Sequence, residues 1–298
     1  MSGENLREEI PRLRETYHTD GAICIRNVLD EQMLAEAFEC FQWSLENPTP
    51  SACTFYDSET AEFYQDLCHP NGALAYQNLL CNAPLAELIA TLWDAEDVWF
   101  LYEQVFVKQG EATRRTPWHQ DTSYLALEGE QVAVVWISFD SVTAEHSLEF
   151  VRGSHRGELY NGSAFDAEDD TAPIYSDGLP RLPDIEANRA AWDILSFDVT
   201  PGDVVIFHPS TLHGGAATEA GAQRRTLSLR FFGADAVYAE RPSQAPAPLI
   251  TGLHETMRPG QAFRHPAFPR LRPEPQGFDE IPAQESPDYT LKNKIRAS

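Results

Sequence analysis

Between Val98 and Phe232 the chain repeats one pattern, short runs rich in β-branched and aromatic residues separated by Gly, Pro, Asp and Ser. The runs are "VWFLYEQVFV", "QVAVVWISF", "SLEFV", "ILSFDV", "DVVIF" and "TLSLRFF". Each is too short for a core helix, and their composition is that of strands. In "TPGDVVIF" a Pro201-Gly202 turn feeds directly into a strand. Upstream the period changes. Residues 30–47 open on Asp30 as an N-cap and place Met33, Leu34, Ala37, Phe38, Phe41 and Leu45 on one helical face. A second amphipathic helix is predicted from Pro84 to Trp93, and the charged N-terminus is helix-like as well. Helices first and many short strands afterwards predict a mainly β fold with flanking helices. The expected core is a double-sheet jelly roll.

The reading is of a single domain over residues 1–298, in three parts. Residues 1–97 are mostly helical, 98–233 form the jelly-roll core, and 234–298 form a proline-rich tail that wraps the core. The tail from Arg241 onward holds ten of the 21 prolines, at 242, 246, 248, 259, 266, 269, 273, 275, 282 and 287. Within the core, residues 156–193 are a polar, acidic insertion far longer than a hairpin loop, which marks either a functional lid or a disordered segment. Acidic residues outnumber basic ones 46 to 22, for a formal charge of −24. That field repels phosphate backbones and anionic lipid, so neither nucleic acid nor a membrane is an expected partner. Five cysteines (24, 40, 53, 68, 81) without C-x-x-C spacing point to a reducing compartment. With no apolar signal core or spanning segment, a cytoplasmic location is expected.

The chemistry concentrates in "TPWHQDTSY", residues 116–124. On an extended chain, His119 and Asp121 point to the same side while Gln120 points away. Two imidazoles and one carboxylate suit Fe(II) and leave positions open for substrate and oxygen. The spacing H-x-D alone also arises by chance and is equally a polar strand end. A second imidazole must come from elsewhere, and "VVIFHPSTLHGGAA" offers His208 and His213. Gly214 and Gly215 let backbone approach closely beside His213, whereas His208 ends an apolar strand before Pro209 and reads as structural.

Taken in order, "TPWHQDTSY", "VWISFDSVTAEHSLEFVRGSHRG", "TPGDVVIFHPSTLHGG" and "RRTLSLRFFG" resemble the phytanoyl-CoA dioxygenase family of Fe(II)- and 2-oxoglutarate-dependent oxygenases. The resemblance covers roughly residues 98–233 and implies that the jelly roll is a double-stranded β-helix of the cupin-like kind. It implies His119, Asp121 and His213 as catalytic metal ligands, with Fe(II), 2-oxoglutarate and O2 as the reacting company. Arg224, eleven residues after His213, falls where the family grips the far carboxylate of 2-oxoglutarate, and a planar guanidinium suits that task. Strand alternation sends Arg225 to the opposite face. Gln104 and Trp136 match positions lining the 2-oxoglutarate pocket. Trp136 also reads as plain core, and the buried amide of Gln104 needs a partner that a cosubstrate carboxylate would supply. His146-Ser147 stands where the family often has Asn-Gly, which marks the local turn as different; His146 and His155 read as structural or exposed.

The implied reaction is hydroxylation of an unactivated C–H bond of a small organic metabolite, with release of succinate and CO2. Desaturation, epoxidation or rearrangement on the same centre are alternatives, and the presence of Asp121 argues against halogenation. From other classes come a non-catalytic metal-binding jelly roll and a cupin-like metalloenzyme that uses no 2-oxoglutarate. A CoA thioester would call for basic residues at the mouth, where Arg114 and Arg115 read first as a solvated surface pair. The C-terminal "KIRAS" is not a peroxisomal S-K-L-type address. Thr122, Ser123 and Tyr124 follow the ligands closely enough to touch a substrate. A homodimer is allowed.

Overall fold

A computed structural model describes residues 3–56, 59–111, 113–176, 178–242, 247, 248, 250 and 252–279. Pro246, Pro282, Pro287 and the "KIRAS" terminus lie outside the described residues. Helix α1 (Gly3–Asp20) leads into strand β1 (Ala22–Ile25) and helix α2 (Glu31–Glu46). The predicted cap of α2 is in place, since Asp30 Oδ1 accepts a 2.9 Å hydrogen bond from the Met33 amide, a contact worth about 1 kcal/mol. Short strands β2 (Cys53–Thr54) and β3 (Ala61–Leu67) follow, then helices α3 (Gly72–Ala75), α4 (Gln77–Asn82) and α5 (Leu85–Trp93). The N-terminal third therefore also supplies three strands that the helical reading of residues 1–97 lacks. β1 is apolar but only four residues long, and β3 breaks its apolar pattern with Glu62, Gln65 and Asp66.

The core strands are β4 (Val98–Gly110), β5 (Thr116–His119), β6 (Leu127–Glu128), β7 (Val132–Ser138), β8 (Leu148–Val151), β9 (Ile194–Ser196), β10 (Val204–Phe207), β11 (His213–Gly215) and β12 (Arg224–Phe232). The tail adds β13 (Val237–Tyr238), α6 (Leu253–Thr256) and β14 (Arg270–Arg272). Antiparallel pairing builds a large sheet in the order β1-β10-β7-β12-β4-β3-β2, with β14 on β4, and a smaller sheet β5-β11-β8-β9. These two facing sheets are the double-stranded β-helix. The tail returns onto the core, because β13 pairs with β6 and β14 with the start of β4.

Alternation along the strands sorts the faces. From β7, β10 and β12, residues Ala133, Val135, Ile137, Val204, Ile206 and Leu227 pack outward under the helices. On that side Phe38 and Phe41 of α2 meet Phe139, each at a ring separation of 5.1 Å. Fully burying a side chain such as Phe41, 1% exposed, contributes about 2–3 kcal/mol. Val134, Trp136, Val205 and Phe207 point the other way and meet Phe150 of the smaller sheet. Before β10, Gly202 takes φ +100°, and a Cβ there would lie 2.8 Å from the Leu29 carbonyl oxygen; the turn needs glycine on both counts.

The β4–β12 half of the large sheet presents a polar inner face. Tyr102, Gln104, Phe106 and Lys108 of β4, and Arg224, Thr226, Ser228 and Arg230 of β12, border a cavity of about 730 Å3 between the sheets. The insertion closes one side of it through Phe165 and Ala167. Arginines hold that segment to the core: Arg114 pairs with Asp170, and Arg115 with Glu149 and Glu186 at 2.9 and 3.0 Å. The two basic residues before the motif are thus part-buried tethers rather than a solvated pair. Among the described residues, no helix is long and apolar enough to cross a membrane.

Candidate functional site

His119 and His213 are directly opposite in the β5–β11 pairing, which places both imidazoles on one face. Their ring centroids are 4.2 Å apart. β5 ends at His119, but Gln120 keeps extended angles (φ −119°, ψ 122°) before a 3-10 turn over Asp121–Tyr124. The i, i+2 relation therefore survives past the strand end. Asp121 Oδ1 lies 3.4 Å from His119 Nε2 and 3.8 Å from His213 Nε2. One donor atom from each of the three buried residues can be chosen so that all lie within 4.8 Å of one another.

Backbone carbonyls set the imidazole orientations. Nδ1 of His119 is 2.8 Å from the Pro117 oxygen, and Nδ1 of His213 is 2.8 Å from the Thr211 oxygen. A carbonyl only accepts, so Nδ1 carries a proton in both rings and Nε2 is the atom that faces Asp121. Burial, with His119 beside it, pushes His213 down to about 3, so this imidazole is neutral and ready to ligate. Burial alone would raise Asp121, but the Arg230 guanidinium above all holds it well below the usual carboxylate range.

Gln120 turns away, as alternation requires. Its Nε2 donates to the Ser210 and Glu158 carbonyls at 2.7 and 3.1 Å, and its Oε1 accepts from the Tyr160 amide at 2.8 Å. It thereby ties the motif to the insertion and to the segment before β11. Of the next three residues only Tyr124 borders the cavity. Thr122 bonds Ser210, and Ser123 bonds the Gln120 carbonyl, so these two hydroxyls shape the turn instead of facing a substrate.

Arg224 is 6% exposed, borders the cavity and donates to the His146 carbonyl. Burial alone brings its guanidinium down to about 10. Lys108 is its register partner on β4, and the sequence reading passed over it. Its Nζ donates to the Arg114 carbonyl at 2.9 Å and Thr116 Oγ1 at 3.2 Å, and sits 4.0 Å over the Phe63 ring. Burial, then Arg224 and Arg115, push this ammonium well below its ordinary value. No carboxylate pairs with either cation in the hydrogen-bond and ion-pair network of the described residues. A Cβ on Gly215 would lie 3.1 Å from Thr116 Oγ1 and 3.3 Å from Arg224 Nη2, so the second glycine after His213 makes room for Arg224. Arg225 faces outward to Asp140 at 2.7 Å.

Trp136 borders the cavity from β7 and packs with Phe207. Gln104 borders it too, but its amide is already engaged: Nε2 donates to Gln65 Oε1 at 2.8 Å, and Oε1 accepts from Arg230 Nη2 at 2.6 Å. The partner it needed is protein. Arg230 was also overlooked; it lies six residues after Arg224, hence on the same face. His208 is remote, its Nε2 bonded to the Gly129 carbonyl and its Nδ1 to the Ser210 amide. His146 contacts Ala217 and Glu219, and His155 the His18 carbonyl. None of the three borders the cavity.

A model described as "Phytanoyl-CoA dioxygenase (PhyH)" matches residues 17–226. The human peroxisomal phytanoyl-CoA dioxygenase is 26% identical over 137 residues, covering 44% of this chain and 37% of that protein. A probable phytanoyl-CoA dioxygenase of Caenorhabditis elegans is 26% identical over 125 residues, 41% of this chain and 38% of its own. The matches thus span well under half the length of these relatives. Among solved structures, the non-heme alpha ketoglutarate dependent epimerase SnoN from nogalamycin biosynthesis superposes with a TM-score of 0.67 at 19% identity, covering 89% of this chain and 100% of that one. The carbocyclase SnoK of the same biosynthesis gives 0.61 at 19% identity, covering 87% and 95%. EctD from S. alaskensis gives 0.60 at 17% identity, covering 86% and 84%. At these identities the structural likeness is one of fold.

Proposed function

The chain belongs to the phytanoyl-CoA dioxygenase family, and we propose that it is an Fe(II)- and 2-oxoglutarate-dependent oxygenase that hydroxylates an unactivated C–H bond of a small organic molecule, releasing succinate and CO2. One observation carries the reading. A buried two-histidine, one-carboxylate donor set shares a cavity with Arg224, a buried guanidinium that has no carboxylate partner.

The donor set fits iron. Neutral imidazoles and one carboxylate suit it and leave open positions, unlike the closed four-ligand sites of structural zinc. The buried cations fit the cosubstrate, because a charge taken out of water without a partner is unfavourable until an anion arrives. Iron would supply the oxygen chemistry. The residues would do the rest. His119, Asp121 and His213 hold the ion, Arg224 grips the far carboxylate with Lys108 adding a second positive group, and Trp136 bounds the cosubstrate.

The remaining wall selects the substrate. Phe55, Tyr56, Phe63, Phe106, Tyr124 and Phe165 border the cavity, and Asp121 is the one acidic side chain among the described lining residues. A neutral, ring-bearing molecule suits such a wall better than a cation. Arg114 and Arg115 are committed to carboxylates, which weakens the case for a CoA thioester. A second outcome on the same centre is hydrogen abstraction without hydroxylation. Product mass separates them, since hydroxylation adds one oxygen atom and epimerisation adds none.

The test is 2-oxoglutarate binding to the Fe(II) protein without oxygen, followed by succinate release with Fe(II) and ascorbate in air. Wild type should bind and turn over, and His119→Ala and Asp121→Ala should do neither. A wild type that fails to bind 2-oxoglutarate and matches those variants would end the oxygenase reading. Retained metal with lost 2-oxoglutarate binding in Arg224→Ala would separate it from a metalloenzyme that uses no cosubstrate.

A further inference from the structure

Arg230 borders the cavity beside the ligand triad and is only 5% exposed. Its Nη2 donates to Asp121 Oδ2 at 2.8 Å and to Gln104 Oε1 at 2.6 Å. Gln104 is in turn fixed by Gln65, and the guanidinium lies 4.7 Å over the Tyr102 ring. Its Nε and Nη1 are buried and find no hydrogen-bond partner among the described residues. A guanidinium placed only to fill the core would not leave two donors unmatched, since buried donors are normally satisfied. Its two directed contacts are the bonds to Asp121 and to Gln104, and Gln104 holds it in line with the carboxylate.

That contact divides the two oxygens of Asp121. Oδ1 faces both histidine Nε2 atoms, while Oδ2 is turned back to Arg230. We infer that Arg230, braced by Gln104 and Gln65, is a positioning residue that makes Asp121 a one-oxygen ligand and keeps its second oxygen off the metal. This rests on the oxygenase reading above. A carboxylate freed of Arg230 can turn both oxygens toward a divalent ion and occupy one of the positions that a chelating 2-oxo acid needs. Hydrogen bonds behind a metal ligand commonly fix its orientation in this way.

The experiment compares wild type, Arg230→Met and Arg230→Lys as full chains without oxygen. Metal content is measured by equilibrium dialysis with Co(II). The 2-oxoglutarate affinity and the visible charge-transfer absorption are measured on the Fe(II) protein. Arg230→Met is expected to retain metal, to bind 2-oxoglutarate about tenfold to a hundredfold more weakly, and to show a displaced absorption band. Arg230→Lys, which restores a cation to Oδ2, should recover most of the affinity and the band position. Wild-type affinity and band in a folded Arg230→Met protein would overturn the assignment. So would a loss of metal and cosubstrate binding that only tracks a lowered melting temperature in both variants, the mark of a plain structural strut. A wild type with no metal-dependent 2-oxoglutarate band would remove the oxygenase reading itself, and that result is distinguishable because it appears before any substitution.

Discussion

Arg224→Met should separate stability from function, moving the two in opposite directions. Burial brings the Arg224 guanidinium from 12.5 down to about 10, a penalty of about 3 kcal/mol at ~1.4 kcal/mol per tenfold change. Methionine keeps much of the aliphatic packing and removes that charge. It also gives up the hydrogen bond to the His146 carbonyl, a charged contact worth about 1.5–3 kcal/mol. The ligand-free variant should thus be as stable as wild type, or more so by about 1 kcal/mol, which is roughly 2–4 °C for a chain of this size. Cosubstrate binding goes the other way. Removing one partner of a buried charge pair costs about 2–5 kcal/mol, and a loss of about 3 kcal/mol weakens 2-oxoglutarate about 150-fold. The assay is a melting curve of the Co(II) protein with and without 2-oxoglutarate at a hundred times the wild-type Kd. Wild type gains about 2.7 kcal/mol of stability from saturation, and a variant weakened 150-fold gains only about 0.3 kcal/mol. A variant that melts well below wild type without ligand, yet still shows the full ligand-induced rise, would refute the argument that Arg224 is held for an anion at the expense of the fold.

Gly215→Ala places a methyl group 3.1 Å from Thr116 Oγ1 and 3.3 Å from Arg224 Nη2; we expect about tenfold weaker 2-oxoglutarate binding with Co(II) stoichiometry unchanged by dialysis, in line with losing about 1.4 kcal/mol of a well-placed contact. Acid stability should follow His208. Burial lowers this imidazole from 6.5 to about 4, so the unfolded chain takes up the proton first. Its contribution is full above about pH 6.5 and is lost as pH falls toward 4, at about 1.4 kcal/mol per pH unit. His208→Gln should flatten that part of the profile by about 2 kcal/mol between pH 7 and 5, read from urea midpoints, and an unchanged slope would show that other groups set it.

What the sequence made legible follows from how local each signal is. The cap at Asp30, the turn at Gly202 and the strand around Trp136 depend on neighbours within a few residues, and the structure places all three where they were expected. His119 and Asp121 were legible because their relation needs only one extended residue between them. His213 took a second signal, its glycines, whose use is explained by the close approach of Thr116 and Arg224. β3 was missed because its polar side chains serve distant partners: Gln65 supports Gln104, and Asp66 accepts from the Thr49 amide. Lys108 and Arg230 were hidden for a related reason. Each is a lone cation in an otherwise strand-like run, and its meaning depends on the register that sets it beside Arg224 or behind Asp121. A periodicity cue existed, since Gln104 and Lys108, like Arg224 and Arg230, are separated by even numbers of residues and so share a face.

β12 also fixes a reading frame. It hydrogen-bonds to β4 on one side and β7 on the other along most of its length, and its even-numbered residues from Arg224 to Arg230 border the cavity while Leu227, Leu229 and Phe231 join the core beneath the helices. Deleting or inserting one residue inside 225–229 would exchange those faces beyond the change. Arg224 would keep its place, but Arg230 would swing into the apolar layer and Asp121 would lose its clamp. The mostly exposed segment 217–223 ahead of the strand carries no such constraint. Variation in chain length is therefore expected to be tolerated up to Gln223 and lethal to the site within the next few positions, even where every substituted side chain is harmless.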